Sequence, residues 1–245
     1  MVQKGKNLVD EAYEIIRQKI CDFELVPGQP VSDFILSKSL CMSRTPIRMA
    51  LQKLEVDRLV EPGPHGQSSV VSGITAEDIA DLFDARCGLE IACLRLFMNS
   101  APQDDAIERL DRINERMREE DLAGRIRQQF YYDQKFHDQL VQLSRNFRLN
   151  RFNSTLTPHL TRLRVLSYFE RSFQLKAYNE HHALIRAISD RREDLAAAIL
   201  KEHIDSTKRN YITIVQKRMN TESVGMLSYA MTHDKDTGLE NLKDS

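Results

Sequence analysis

The sequence is defined first by what it lacks. No stretch approaches eighteen consecutive apolar residues, so it offers no membrane-spanning helix. The N-terminus, MVQKGKNLVDEAYEI, has no long apolar run of the kind a signal peptide carries. The four cysteines, Cys21, Cys41, Cys87 and Cys93, include no CxxC pair. Together these absences point to a reduced, cytoplasmic protein with no membrane partner. There is no excess of either charge, because 35 Lys and Arg stand against 36 Asp and Glu. Any nucleic-acid surface must therefore come from a local cluster of cations. Neither HExxH nor GxSxG occurs, which removes the commonest hydrolase signatures.

Breakers are also scarce, and unevenly so. Pro27, Gly28, Pro30, Pro62, Gly63, Pro64, Gly66 and Gly73 fall in the first third, whereas from 74 to 220 only Gly88, Pro102, Gly124 and Pro158 interrupt the pattern. At 245 residues the chain is long enough for two cores. The expectation is a compact, turn-rich domain over 1–73, a mostly helical domain over 74–220, and a polar, aperiodic tail over 221–245. In the helical part, Ile79, Leu82, Phe83, Leu89, Cys93 and Leu96 recur at helical spacing, as do Ile107, Leu110, Ile113 and Met117. Thr75 and Asp78 are spaced to cap the first of these helices. Further helices are expected near 125–144, 149–169, 176–189 and 192–217.

In the first third, Leu8, Ala12, Ile15, Ile16 and Ile20 share one face of a helix that should end near Asp22. Ser32 to Leu40 fits a second helix, and Ser43 is placed to cap a third. Pro46 falls in the first turn of that third helix, where its missing N–H costs nothing. Ile47, Leu51 and Leu54 then face inward, leaving Arg44, Thr45 and Arg48 exposed at the end that meets base edges in a recognition helix. From Phe34 through Leu54 there is no acidic residue, while Lys38, Arg44, Arg48 and Lys53 are basic. Leu59 and Val60, then EPGPHGQSS, then Val70 and Val71 read as two short strands around a turn whose tip carries His65 and Gly66. Helix, turn, capped helix and wing in this order predict a winged helix-turn-helix that reads double-stranded DNA. The plainer alternative is a helical hairpin with solvated arginines.

The segment SRTPIRMALQKLEVDRLV resembles the recognition-helix region of GntR-type transcription regulators. The helical remainder resembles the FCD effector domain of their FadR-type subgroup. The motifs that carry the resemblance are SRTPIR, RCGLE from Arg86 to Glu90, DQKFH with SRN at 144–146, and EHHALIRAI at 180–188, within residues 8 to 217. The resemblance implies a mostly α fold, with a winged helix-turn-helix joined to an antiparallel helical bundle. It also implies a homodimer, a DNA operator as partner, and DNA contacts at Arg44, Thr45, Arg48, His65 and Gly66. One departure stands out: relatives often carry a basic or acidic residue where this chain has Phe34, which leaves the contact from that position and the preferred operator open.

DQKFH places Asp133 and His137 four residues apart, on a face shared with Phe130, Phe136 and Leu140. His181 shares a face with Leu184, Ile185 and Ile188, whereas His182 leads to Arg186 and Ser189 and should point outward. His203 follows Ala196, Ile199 and Leu200. Three inward imidazoles and one carboxylate from three helices can surround a divalent metal ion, which would offset the desolvation of Asp133. An imidazole-rich set makes zinc the first choice, with nickel and manganese as alternatives. The same four positions match the FCD metal ligands. Taken singly, each histidine also fits a hydrogen-bonded core role, and Asp133 with His137 an ordinary i,i+4 pair.

Arg86 reads equally well as a salt-bridge partner of Glu90 or as a cavity guanidinium. In the second reading a small carboxylate effector bridges the metal and Arg86. The resemblance adds organic acids as the effector class and Asn146 as a pocket residue, and on the family alone it favours repression over activation. Two rival functions remain: a metal-dependent hydrolase, and a DNA-binding dimer whose bundle is structural and metal-free. His159 and His233 are expected at the surface.

Overall fold

The computed structural model describes residues 7–63, 68–100, 104–167 and 174–219. The wing tip with His65 and Gly66, the tail over 221–245 and His233 lie outside the described residues. The chain divides into two compact units, the first made of Met1–Ile74 with Gln216–Ser245 and the second spanning Thr75–Val215.

The first unit opens with α1 (Leu8–Cys21), whose Asn7 side chain accepts from the Val9 N–H and whose Ala12, Ile16 and Ile20 are fully buried. Helix α2 (Asp33–Ser39) starts at Ser32, whose hydroxyl accepts from the Ile35 N–H at 3.1 Å. It ends in a tight wrap: the Met42 N–H bonds to the Ser37 carbonyl and the Cys41 N–H to that of Lys38, with Cys41 at φ 52°. This is the paired-bond C-terminal motif usually built on glycine. It turns the chain directly into α3 (Arg44–Val56). Ser43 occupies the N-cap position of α3, but its side chain makes no capping hydrogen bond, contrary to the sequence expectation. Buried Pro46 in the first turn fixes the start of the helix instead. Ile47, Ala50, Leu51 and Leu54 pack with α1 residues, Val31, Leu36, Leu59 and Val71 into one core. Strands β1 (Val60–Glu61) and β2 (Val70–Val71) pair antiparallel with Val60 opposite Val71, forming the base of the wing.

The second unit is helical: α4 (Ala76–Met98), α5 (Asp104–Leu122), α6 (Ile126–Leu143), α7 (Phe147–Ser167), α8 (Gln174–Ser189) and α9 (Glu193–Met219). Helix α6 packs on α4, α5 and α7, and α5 also packs on α8. Phe83, Leu94, Leu110, Met117, Phe136 and Leu140 are buried at the centre. Leu96, expected on the inner face, is 45% exposed because Leu94 and Phe97 take the inward positions of that turn. Pro158 lies inside α7 without ending it, so the helix forgoes one amide hydrogen bond there. Among the described residues no helix is long and apolar enough to cross a membrane.

Helix α4 carries a full capping box, in which Thr75 Oγ1 accepts from the Asp78 N–H (3.0 Å) and Asp78 accepts from the Thr75 N–H (3.3 Å). Thr75→Ala removes one half of it and should lower the unfolding free energy by about 1 kcal/mol. Thr75→Ser should retain most of that stability. Denaturant titration checks both.

A candidate metal centre and a candidate nucleic-acid interface

Asp133 and His137 of α6, His181 of α8 and His203 of α9 each bring one ligand atom into a group whose members lie within 4.8 Å of one another. His137 Nε2 lies 3.2 Å from His203 Nε2, His181 Nε2 lies 3.3 Å from His203 Nε2, and Asp133 Oδ1 is 3.8 Å from His181 Nε2. The three imidazoles are buried, and Asp133 is partly open to the adjoining cavity.

Two carboxylates settle the proton positions. His137 Nδ1 is 2.6 Å from Glu90 Oε2, and His203 Nδ1 is 2.8 Å from Glu180 Oε2. A carboxylate only accepts, so Nδ1 carries the proton in both rings and a neutral ring turns its Nε2 lone pair inward. Two lone pairs 3.2 Å apart repel unless a cation lies between them. On His137 a proton is disfavoured, because burial and the nearby Arg86 charge push this ring well below its ordinary pKa. Burial, with the repulsion that a protonated neighbouring imidazole or Arg86 would exert, does the same to His181. Asp133 stays ionised: burial pushes its carboxyl up, but His137, Arg164, His203 and Arg86 outweigh that and hold it below its usual range. Metal–ligand bonds of about 2.0–2.1 Å in tetrahedral or octahedral array separate neighbouring donor atoms by roughly 2.8–3.4 Å. The His137–His203 and His181–His203 spacings fall in that window and Asp133, 3.8 Å from His181, lies just beyond it, so the chemistry and placement of the four residues fit a divalent ion.

His181 is held differently. Its ring stacks on Phe136 at 4.0 Å between centroids, and its Nδ1 is buried without a hydrogen-bond partner among the described residues.

A cavity adjoins the cluster, lined by Asp133 and His203 together with Arg86, Gln129, Arg164, Lys176 and Glu180. Both sequence readings of Arg86 hold in part. Its Nε donates to Glu90 Oε1 at 2.6 Å, while its Nη2 is buried with no hydrogen-bond partner among the described residues. Glu90 thus links Arg86 to His137. Asn146 is elsewhere: its Oδ1 accepts from the Arg148 and Leu149 N–H groups at the start of α7, and it does not line this cavity. His182 is exposed, as expected, and His159 is half-buried.

Sequence reasoning missed Glu180, Arg164, Lys176 and Gln129. Gln129 precedes Asp133 and His137 at successive i,i+4 steps, and Glu180 adjoins His181, so helical spacing held a signal for these two. Arg164 lies among Leu160, Leu163 and Val165, which marked an inward face.

On the first unit, Arg44, Thr45 and Arg48 are exposed along the start of α3. Sequence reasoning also missed Asp33, one residue before the acid-free window. Its carboxylate accepts from Arg44 Nη2 at 2.8 and 3.0 Å, and Arg48 Nε stands 3.7 Å away. Hydrogen bonding from Arg44, with Arg48 beside it, holds the Asp33 carboxyl below its ordinary pKa.

The FCD domain matches residues 81–206, and the bacterial regulatory proteins of the gntR family match residues 8–68. The Nta operon transcriptional regulator of Aminobacter aminovorans is 24% identical over 192 residues, covering 78% of this chain and 88% of that one. The gluconate operon transcriptional repressor of Bacillus licheniformis is 23% identical over 199 residues, covering 79% and 80%. Among solved structures, a GntR transcriptional regulator from Rhodococcus sp. RHA1 aligns with TM-score 0.69 at 21% identity, over 84% of this chain and 97% of that one. E. coli McbR/YncC aligns with TM-score 0.70 at 17% identity, over 89% and 100%. These structural likenesses bear on the fold.

Asp33 sets a negative charge against Arg44 and Arg48. Asp33→Asn should therefore bind random-sequence duplex about three- to tenfold more tightly at low salt, with a steeper salt dependence. Fluorescence anisotropy on a labelled duplex measures both, and unchanged affinity would show that the carboxylate does not restrain the arginines.

Proposed function

The chain belongs to the GntR family of bacterial regulatory proteins and carries an FCD domain, and on that premise we propose a homodimeric, cytoplasmic repressor of the FadR-type subgroup. Its helical domain holds a divalent cation and senses a small carboxylate. It is a DNA-binding transcription regulator, as are the relatives it matches, and not an enzyme. The gluconate operon protein of Bacillus licheniformis is named a repressor, which supports that direction of control. The domains of the proposal are 1–73 for DNA binding and 74–220 for sensing and dimerisation, with a tail from 221.

Two winged helices occupy two operator half-sites. Arg44 and Arg48 read base edges, Thr45 adds a contact at the start of α3, and His65 and Gly66 approach from the wing. In the helical domain, Asp133, His137, His181 and His203 hold the cation. Zinc is the first choice and nickel or manganese the alternatives. When bound, the ion supplies a positive centre to which an oxygen ligand can attach.

The observation that carries the sensing role is a pair of groups beside the cluster that have no hydrogen-bond partner among the described residues. Arg86 Nη2 is a buried cationic donor, and Gln129 Oε1 a buried acceptor, and both residues line the cavity. A carboxylate satisfies the first, and with Arg164 and Lys176 nearby an anion is favoured over a cation. Ligand binding shifts the DNA-binding equilibrium only by the difference in its affinity for the two states of the protein.

Protein purified without chelator or nickel affinity resin should carry about one divalent ion per chain. Glu180→Gln, which leaves all four ligands in place, should weaken that ion's binding by about 10- to 100-fold in chelator competition. Metal-free protein with no affinity for zinc, nickel or manganese would favour the structural bundle instead. In a thermal-shift screen of organic acids with zinc present, at least one acid should raise the melting temperature, and Arg86→Met should abolish that rise. A screen in which no acid acts would remove the carboxylate from the account.

A further inference from the structure

Phe34 is one of the large apolar residues that the fold of the first unit leaves exposed, with Leu8, Ile35, Met49 and Val56. It lies in the first turn of α2, is 51% exposed, and takes no part in the core built from α1, α3 and the wing. Its ring is open to a partner of the DNA-binding domain.

Its surroundings say which occupant fits. The preceding residue, Asp33, is hydrogen-bonded to Arg44 of α3, so the first turn of α2 abuts the first turn of the recognition helix. Lys38, one turn on, holds its ammonium 4.1 Å from the centre of the Phe34 ring, which pins the ring and places a cation beside it. Lys38 thus lies against the ring, and Arg44 and Arg48 lie against the neighbouring Asp33, a setting that attracts phosphates and would repel a basic protein partner. DNA offers one apolar group in the major groove, the C5-methyl of thymine.

We propose that Phe34 is a specificity-determining residue that reads a thymine methyl group at a fixed position in each operator half-site. Phenylalanine has neither donor nor acceptor, so it gives no hydrogen bond to a base edge and its discrimination comes from the methyl alone. The position it reads is therefore a T·A pair. Arg44 and Arg48, steadied by Asp33, read neighbouring pairs by hydrogen bonding.

The full chain, selected against a randomised duplex library, yields its own site, and thymines in that site are then replaced one at a time by deoxyuridine, which deletes only the methyl group. One thymine per half-site should respond, with affinity falling about fourfold, the effect of returning one methyl-sized group to water. In Phe34→Ala the deoxyuridine effect at that thymine should vanish, and selection should no longer favour T there. Phe34→Leu, which keeps an apolar side chain, should restore part of the preference. A site in which no thymine responds to deoxyuridine overturns the proposal. So does a response that survives in Phe34→Ala, or a Phe34→Ala protein that selects the same site with the same affinity.

Discussion

Three imidazole nitrogens facing one another inside a helical bundle are the constraint around which the second unit is arranged. His137 and His203 each spend their proton on a carboxylate behind the ring, so what they present to one another is negative density at 3.2 Å. Such an arrangement is a poor structural solution by itself, because a buried polar group without a complement costs stability. It becomes a good one when a cation supplies the complement. Glu90 and Glu180 are as much part of the design as the ligands, since they fix the tautomer that makes the lone pairs available.

The same cluster ties cavity and scaffold together. Glu90 contacts both Arg86 and His137, so one carboxylate couples the cavity wall to the cluster. Asp133 lies at the boundary, near Arg164 on one side and His181 on the other. An anion entering beside Arg86 therefore changes the field on residues from α4, α6, α7 and α9 together. Helices that share such a charge network respond as a set, which is the property a sensing domain needs.

Much of this was legible in the sequence because helical periodicity fixes which residues share a face. His181, and not His182, follows from Leu184, Ile185 and Ile188, and the inward setting of His137 follows from Phe136 and Leu140. The winged helix was legible because Ser32, Pro46 and the glycine and proline turns punctuate it. What periodicity could not supply was partnership between elements distant in sequence. Glu180 behind His203 spans 23 residues, and the bond from Arg44 to Asp33 depends on the tight wrap at Cys41. Ser43 failed as a capping side chain because composition marks a cap position but not the rotamer that fills it. Asn146 was assigned by likeness to a pocket, and the backbone N–H groups at the start of α7 hold it instead.

The claim on which the sensing half rests is that His137, His181 and His203 meet one ion through Nε2. Nitrogen-15 NMR of the histidine rings, recorded while zinc is added to metal-free protein, addresses it directly. The account predicts that the Nε2 resonances of these three rings move together to saturation at one ion per chain, while Nδ1 of His137 and His203 stays protonated throughout. Zinc shifting none of the three, or shifting Nδ1 in their place, would contradict it.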